Sequence, residues 1–401
     1  MSTVELWRTL WSSLHPIGRD PATGGYLRSS WSAADLACRQ WFVDQARARS
    51  LDVETDRNGN IWAWWGDPVA GGAVVTGSHL DSVPHGGAYD GAQGVVSALL
   101  AVDELRSRGA QPSRPIGIVV FTEEEGSRFG SACLGSRLLT GAIDPEHATA
   151  LTDAGGITLA QGLAVAGLDP SSIGPDPARV ARIGSFVELH IEQGRSLESP
   201  VGVASGIWPH GRWRLSVEGV GNHAGTTLMT DRRDPMLTCA YSVLAANKEA
   251  RLVGAHATIG RIAVHPNATN AIPERVTAWL DARAPDESTL DSLVASIRLR
   301  AVERGERDGT TVELTAESVS PAVVFDAALR DRIAAALGGV PVIATGAGHD
   351  AGVLASAGVP TAMLFVRNPS GVSHSPAEHA SDEDCAAGVA ALARVLEELA
   401  W

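Results

Sequence analysis

Residues 73–109 read AVVTGSHLDSVPHGGAYDGAQGVVSALLAVDELRSRG, and the order of patterns in that stretch decides the fold class. AVVTGS is a short apolar, β-branched run of the kind that forms a buried strand, and GSHLDSVPHGGAYDG is a glycine-rich turn. From Gly91 to Gly109 the spacing predicts a helix that begins just after Asp90 and ends at a glycine. Strand, loop and helix in this order are half of a βαβ unit, so His79, Asp81 and Asp90 are placed at the carboxyl end of a strand. In open α/β sheets that end is where ligands bind.

Three more apolar runs end the same way. IGIVVFT leads into FTEEEG with Glu124 and Glu125, FVEL into VELHIEQG with His190, and TAMLFV is followed by GVSHSPAE with His374. Residues far apart in sequence are thereby predicted to meet along one sheet edge. Taken singly each is weak, since a lone strand-end histidine is more often a hydrogen-bonded structural residue and a run of glutamates is usually a solvated face. Together they supply a two-metal site, which needs one bridging carboxylate and further N/O ligands on each side. Asp90 is placed for the bridge, because the glycine turn lets the backbone approach and the helix start favours negative charge. His79 and His190 complete one metal, and Glu125 with His374 the other. Asp81, two residues after His79, is expected to accept that histidine's free ring N–H. Glu124, adjacent to the ligand Glu125, is expected to point elsewhere on the strand-end turn and act as the general base that takes a proton from the metal-bridging water and passes it to the leaving nitrogen; Glu123 is the alternative base.

Composition limits the function classes. With 32 Lys+Arg against 46 Asp+Glu the net charge is −14, and there is no basic run, which argues against a nucleic-acid partner or an anionic membrane surface. No apolar span is long enough for a membrane helix, and MSTVELWRTLWSS lacks the basic start of a signal peptide, so a cytoplasmic protein is expected. The four cysteines, Cys38, Cys133, Cys239 and Cys385, are far apart and are read as packing residues rather than thiolate ligands. The eleven tryptophans, Trp62, Trp64 and Trp65 among them, are read mainly as core or subunit-contact residues, with Trp208 the one placed to shape a pocket.

A chain of 401 residues exceeds one ordinary core. The βαβ style of the first half stops near residue 210. RWRLSVEGV, a helix in PMLTCAYSVLAANKEA, ATIGRIAVHP, RVTAWLDARAP, a helix in STLDSLVASIRLRAVERG, and TTVELTAESV then follow in the β-α-β-β-α-β order of a ferredoxin-like domain. The α/β style resumes after residue 325. The fold expected is therefore an α/β catalytic domain, residues 1–209 and 325–401, with a mostly parallel twisted sheet flanked by helices. Residues 210–324 form an inserted ferredoxin-like α+β domain with a lid or dimerisation role.

At these residues the chain resembles the M20 metallopeptidase-like superfamily and, within it, the hydantoinase/carbamoylase amidohydrolases: N-carbamoyl-L-amino acid hydrolases, bacterial-type β-ureidopropionases and allantoate amidohydrolases. The motifs that carry the resemblance run from GSHLDSVPHGGAYDG through FTEEEGSRFG, ELHIEQG, GNHAGTT, PNATNAIP and LDAR to GAGHDA and GVSHSPAE. A histidine at His190, where the peptidase branches carry Asp or Glu, points to the amidohydrolase side. The resemblance implies His79, Asp90, Glu125, His190 and His374 as metal ligands and Glu124 as base. It also implies that His223 reaches across a homodimer to steady the oxyanion, that Asn270 and Arg283 hold a substrate carboxylate, and that Gln193 is a further pocket contact. The plain alternatives are that Arg283 pairs with Asp281 or Asp286, Asn270 makes a turn and His223 caps its loop. Leu228 stands where the family often has proline, and Thr345 where it usually has serine before Gly-Ala-Gly-His-Asp; His349 and Asp350 of that stretch are read as support for the site.

The expected activity is metal-dependent cleavage of the C–N bond of a ureido or carbamoyl group on a small carboxylate, with ammonia released. Allantoate is placed slightly ahead of N-carbamoyl-L-amino acids. The ligand chemistry suits two ions of manganese or zinc, with cobalt or nickel also accommodated. The rivals are a two-metal aminopeptidase, dipeptidase or deacylase, and a non-catalytic binding protein on the same fold.

Overall fold

A computed structural model describes residues 1–109 and 111–401. The chain divides into two compact units, Met1–Gly206 with Val324–Trp401, and Ile207–Val323. In chain order the strands are β1 (Asp52–Thr55), β2 (Ile61–Trp65), β3 (Ala73–His79), β4 (Ile116–Phe121), β5 (Ile183–Ile191) and β6 (Val201–Ile207). There follow β7 (His210–Glu218), β8 (Asn222–His223), β9 (His256–His265), β10 (Ala271–Ile272), β11 (Arg275–Arg283) and β12 (Thr311–Ser320). The last three are β13 (Val323–Val324), β14 (Val342–Thr345) and β15 (Thr361–Val366).

In the larger unit the sheet order is β1-β2-β4-β3-β5-β15-β6-β13, with β14 paired to β6. The four central strands β4, β3, β5 and β15 are parallel, and β1, β2 and β6 are added antiparallel at the sides. Strands β3, β4 and β15 are buried at every position, the continuous apolar pattern of strands covered on both faces. Register aligns their ends: His79 lies opposite Phe121 and His190 opposite Phe365.

Helix Ala92–Ser107 follows the loop after β3 and buries Val95, Val96, Leu99, Val102 and Leu105. It packs in one core with Leu392, Leu396 and Leu399 of the terminal helix Asp382–Ala400. Each such leucine contributes about 1.5–3 kcal/mol by leaving water. The terminal helix is started by Ser381, whose hydroxyl accepts the Asp384 N–H at 3.0 Å, with Asp382, Glu383 and Asp384 in the first turn where negative charge is favoured.

The smaller unit is a four-stranded antiparallel sheet, order β12-β7-β11-β9, with helices Pro235–Leu252 and Glu287–Asp308. Strand β11 alternates strictly, burying Val276, Ala278, Leu280 and Ala282, so one face of the sheet is apolar. That face joins Leu290, Leu293 and Ile297 of the second helix. The β-α-β-β-α-β order follows the ferredoxin-like pattern.

Six tryptophan rings pair with other tryptophans: Trp7 stacks on Trp11 at 5.1 Å, Trp62 on Trp64 at 5.6 Å, and Trp65 meets Trp401 edge-on. Trp208 lies 5.4 Å from the ring of His256 within the smaller unit. The four cysteines are unpaired and buried. No helix among the described residues is long and apolar enough to cross a membrane.

Candidate metal centre

The carboxyl ends of β3, β4 and β5 and the loop after β15 bring the candidate ligands together. His79, Asp90 and His190 have ligand atoms within 4.8 Å of one another, and so do Asp90, Glu125 and His374. Asp90 belongs to both groups and divides its oxygens between them. Its Oδ1 lies 3.3 Å from His79 Nε2 and 3.2 Å from His190 Nε2, whereas its Oδ2 lies 3.4 Å from His374 Nε2. Glu125 Oε2 approaches the same His374 nitrogen at 3.5 Å. The turn after Asp90 is made by Gly91 at φ 65°, and a β-carbon there would stand 2.5 Å from the His79 ring, so the close approach requires glycine.

The histidines present one nitrogen each to this space. His190 Nδ1 lies 2.8 Å from the Ile191 carbonyl and His79 Nδ1 3.1 Å from the Asp81 carbonyl. Donation through Nδ1 leaves Nε2 facing Asp90 in both rings. His79 Nε2 is buried without a hydrogen-bond partner among the described residues. An orphaned imidazole nitrogen, two further imidazoles and two carboxylates, with no thiolate, form a donor set that fits divalent cations of the zinc or manganese type.

Asp81 departs from expectation. Its carboxylate is 3.6 Å from His79 Nδ1, and the acceptor at hydrogen-bond distance is its backbone carbonyl. The carboxylate accepts the backbone N–H groups of Glu124 at 3.2 Å and Glu125 at 3.1 Å, so it orders the loop after β4. In that loop Glu124 turns Oε2 to within 3.7 Å of His79 Nε2, and its Oε1 accepts from the Cys133 thiol at 3.3 Å. Cys133 is thus more than packing. Glu123, the alternative base, instead accepts the N–H groups of Arg128 and Phe129.

Electrostatics follow from burial. Desolvation raises the Glu124 carboxyl well above the usual carboxylate range, against the pull of His79. Desolvation and the charge of Asp90 push Glu125 up to about 7. Asp90 is equally dry, yet His190, His374 and His79 around it hold it well below its ordinary value. The hydrogen bond to Asp90 outweighs burial at His374 and lifts it to about 9. Cation binding here exchanges against protons.

Gln193 donates to Asp90 Oδ2 at 2.8 Å and lies 3.4 Å from His374 Nε2. Behind His190, at 4.6 Å between ring centroids, His349 is buried with both ring nitrogens unpartnered among the described residues. Its neighbour Asp350 accepts from Ser136. Glu188, His190 and His349 form a further group able to hold a cation, although Glu188 already accepts from Ser78 and from the Ala351 N–H. Sequence reasoning missed Glu378, which accepts from the backbone of Tyr89 and Asp90; its position in the GVSHSPAE motif was the available signal.

The remaining candidates lie in the smaller unit. The short ribbon of β8 with β10 sets His223 opposite Ala271, and the Ala224 N–H donates to the Asn270 carbonyl at 2.9 Å, so His223 and Asn270 are neighbours. His223 Nδ1 accepts from the Gly225 N–H at 3.0 Å. Arg283 closes β11 and engages Asp281 through Nε at 2.9 Å and a second nitrogen at 3.2 Å.

Residues 75–398 match the peptidase family M20/M25/M40. The chain is 37% identical over 406 residues to an N-carbamoyl-L-amino acid amidohydrolase of Geobacillus stearothermophilus, covering 98% of each. It is 33% identical to an allantoate amidohydrolase of Escherichia coli strain K12, covering 97% of this chain and 96% of the relative. Among solved structures, an amidase of the hydantoinase/carbamoylase family from Burkholderia multivorans superposes with a TM-score of 0.86 at 32% identity, covering 100% of this chain and 98% of that one. The chain belongs to the M20/M25/M40 family, in its hydantoinase/carbamoylase amidohydrolase branch, as a hydrolase of amide C–N bonds.

Proposed function

We propose that this protein cleaves the terminal C–N bond of a ureido or carbamoyl group on a small carboxylate, with two divalent ions at Asp90. The observation that carries the proposal is the division of the Asp90 oxygens between the His79–His190 pair and the Glu125–His374 pair. Ions bound there would supply an acidified water and a polarised carbonyl. Manganese and zinc both suit the donors, and cobalt or nickel fit the same set.

Glu124 is the proton carrier. With Oε2 turned toward the ligands, its carboxylate takes the proton of the attacking water and delivers it to the leaving nitrogen. Gln193 steadies Asp90 and offers a donor to the substrate. The Arg283 guanidinium grips the substrate carboxylate with its fork, joined by the Asn270 amide. His223 donates to the developing oxyanion from a second copy of the chain, which makes the working unit a homodimer through the smaller unit. Ammonia leaves, and carbon dioxide follows where the product is a carbamate. Four unpaired, buried cysteines support a cytoplasmic setting.

N-Carbamoyl-L-amino acids and allantoate are the two substrate groups, named for the relatives of 37% and 33% identity respectively. The test is ammonia release from both and from N-carbamoyl-β-alanine by manganese-loaded protein. Turnover of any one supports the reading and names the group. Silence on all three together with cleavage of dipeptides or acylated amino acids would replace it with peptidase or deacylase chemistry.

A further inference from the structure

Glu378 stands in neither group around Asp90, yet it is 5% exposed and lies where the loops carrying Asp90 and His374 meet. Its Oε2 accepts two consecutive backbone N–H groups, from Tyr89 at 2.8 Å and from Asp90 at 3.1 Å. Its Oε1 is 3.3 Å from the Ser373 hydroxyl, which is also 3.3 Å from Asp90 Oδ2. The glycine loop before Asp90 is cut to receive this carboxylate: a β-carbon on Gly87 would stand 2.2 Å from Glu378 Oε2 and 2.5 Å from its Cβ. On its own side Glu378 is anchored by a turn, its N–H donating to the Ser375 carbonyl at 3.0 Å. One side chain therefore spans the two loops.

A second acid beside Asp90 is costly. A carboxylate buried at 5% exposure carries a desolvation cost that an apolar residue filling the same space would not. What an apolar residue lacks is an acceptor for two backbone donors, which would be left unsatisfied where they are buried. We propose that Glu378 is a positioning residue that clamps the Asp90 loop to the His374 loop and thereby sets the affinity of the ion bound by Asp90, Glu125 and His374. This rests on the reading of those three as ligands.

The experiment counts zinc per chain in zinc-loaded protein dialysed against graded chelator, with His374→Ala marking the loss of that ion. In Glu378→Gln the amide oxygen still accepts both N–H groups, and zinc retention is expected to stay close to wild type. Glu378→Met fills the space with no oxygen acceptor, and the ion that His374→Ala loses is expected to leave at about 10–100-fold lower chelator, the other ion unmoved. Gly87→Ala displaces the carboxylate without removing it and should weaken the same ion, which keeps the test alive if Glu378→Met does not fold. Unchanged retention in Glu378→Met or Gly87→Ala, or equal loss in the Gln and Met variants, overturns the clamp. Wild-type protein that never holds two zinc ions would instead defeat the reading of the centre itself.

Discussion

The two units carry their polar chemistry in opposite ways. In the larger one His79, Asp90, Glu124 and His190 are all below a tenth exposed and face one another at 3.2–3.7 Å, while His374, with its side chain 49% exposed, opens that centre to solvent. In the smaller one His223 and Asn270 are exposed, and the Arg283 side chain is 32% exposed against Asp281. Buried ionisable groups must compensate one another or share a cation, so their clustering is an argument in itself. Exposed groups bear no such burden: His223 and Asn270 lie open to solvent, whereas the candidate metal centre is fixed by the mutual compensation of its buried members.

The sharpest way to break that contrast is Glu124→Gln. The variant should keep its metal and lose about 10²–10⁴-fold in the rate of ammonia release, the range for a proton carrier. Near-normal turnover with full metal content would move the base elsewhere. Next in size are the ligands. Asp90→Ala should lose both ions, because its two oxygens serve both groups, whereas His374→Ala should lose one, as metal content per chain will show. Equal losses would contradict the division at Asp90.

In the smaller unit the effects should fall on binding. Arg283→Ala is expected to raise KM by about 10–100-fold, the size of a hydrogen bond to a charged group, with metal content intact. If Arg283 only pairs with Asp281, KM will not move. Smallest in amplitude is subunit mixing: His223→Ala and Glu124→Gln, each inactive, should recover one working site per mixed dimer. No recovery would place His223 in the site of its own chain or outside any site.

Much of this was legible because strands and ligands share one signal. AVVTGSHLD, FTEEEG and VELHI each join a β-branched run to a ligand type, so the sheet and the gathering of His79, Glu125 and His190 could be read together. RVTAWLDAR was legible as a strand from its place in the β-α-β-β-α-β order, and burial alternates along it in β11. Side-chain direction after a strand end was not legible. Asp81 follows His79 by two positions, as an imidazole partner would, but its carboxylate serves the N–H groups of Glu124 and Glu125. Cys133 reaches Glu124 from a left-handed residue, φ 54°, that no periodicity announces. Glu378 was in view within GVSHSPAE, but its partners are backbone donors 288 and 289 positions earlier, a relation that only the folded loops create.

The measurement that tests the central claim most directly is ammonia release by metal-stripped protein as Mn²⁺ is returned. Activity absent in the stripped protein, and restored on N-carbamoyl-L-amino acids or allantoate as the sites fill toward two ions per chain, is the predicted result. Undiminished ammonia release from fully stripped protein would contradict it.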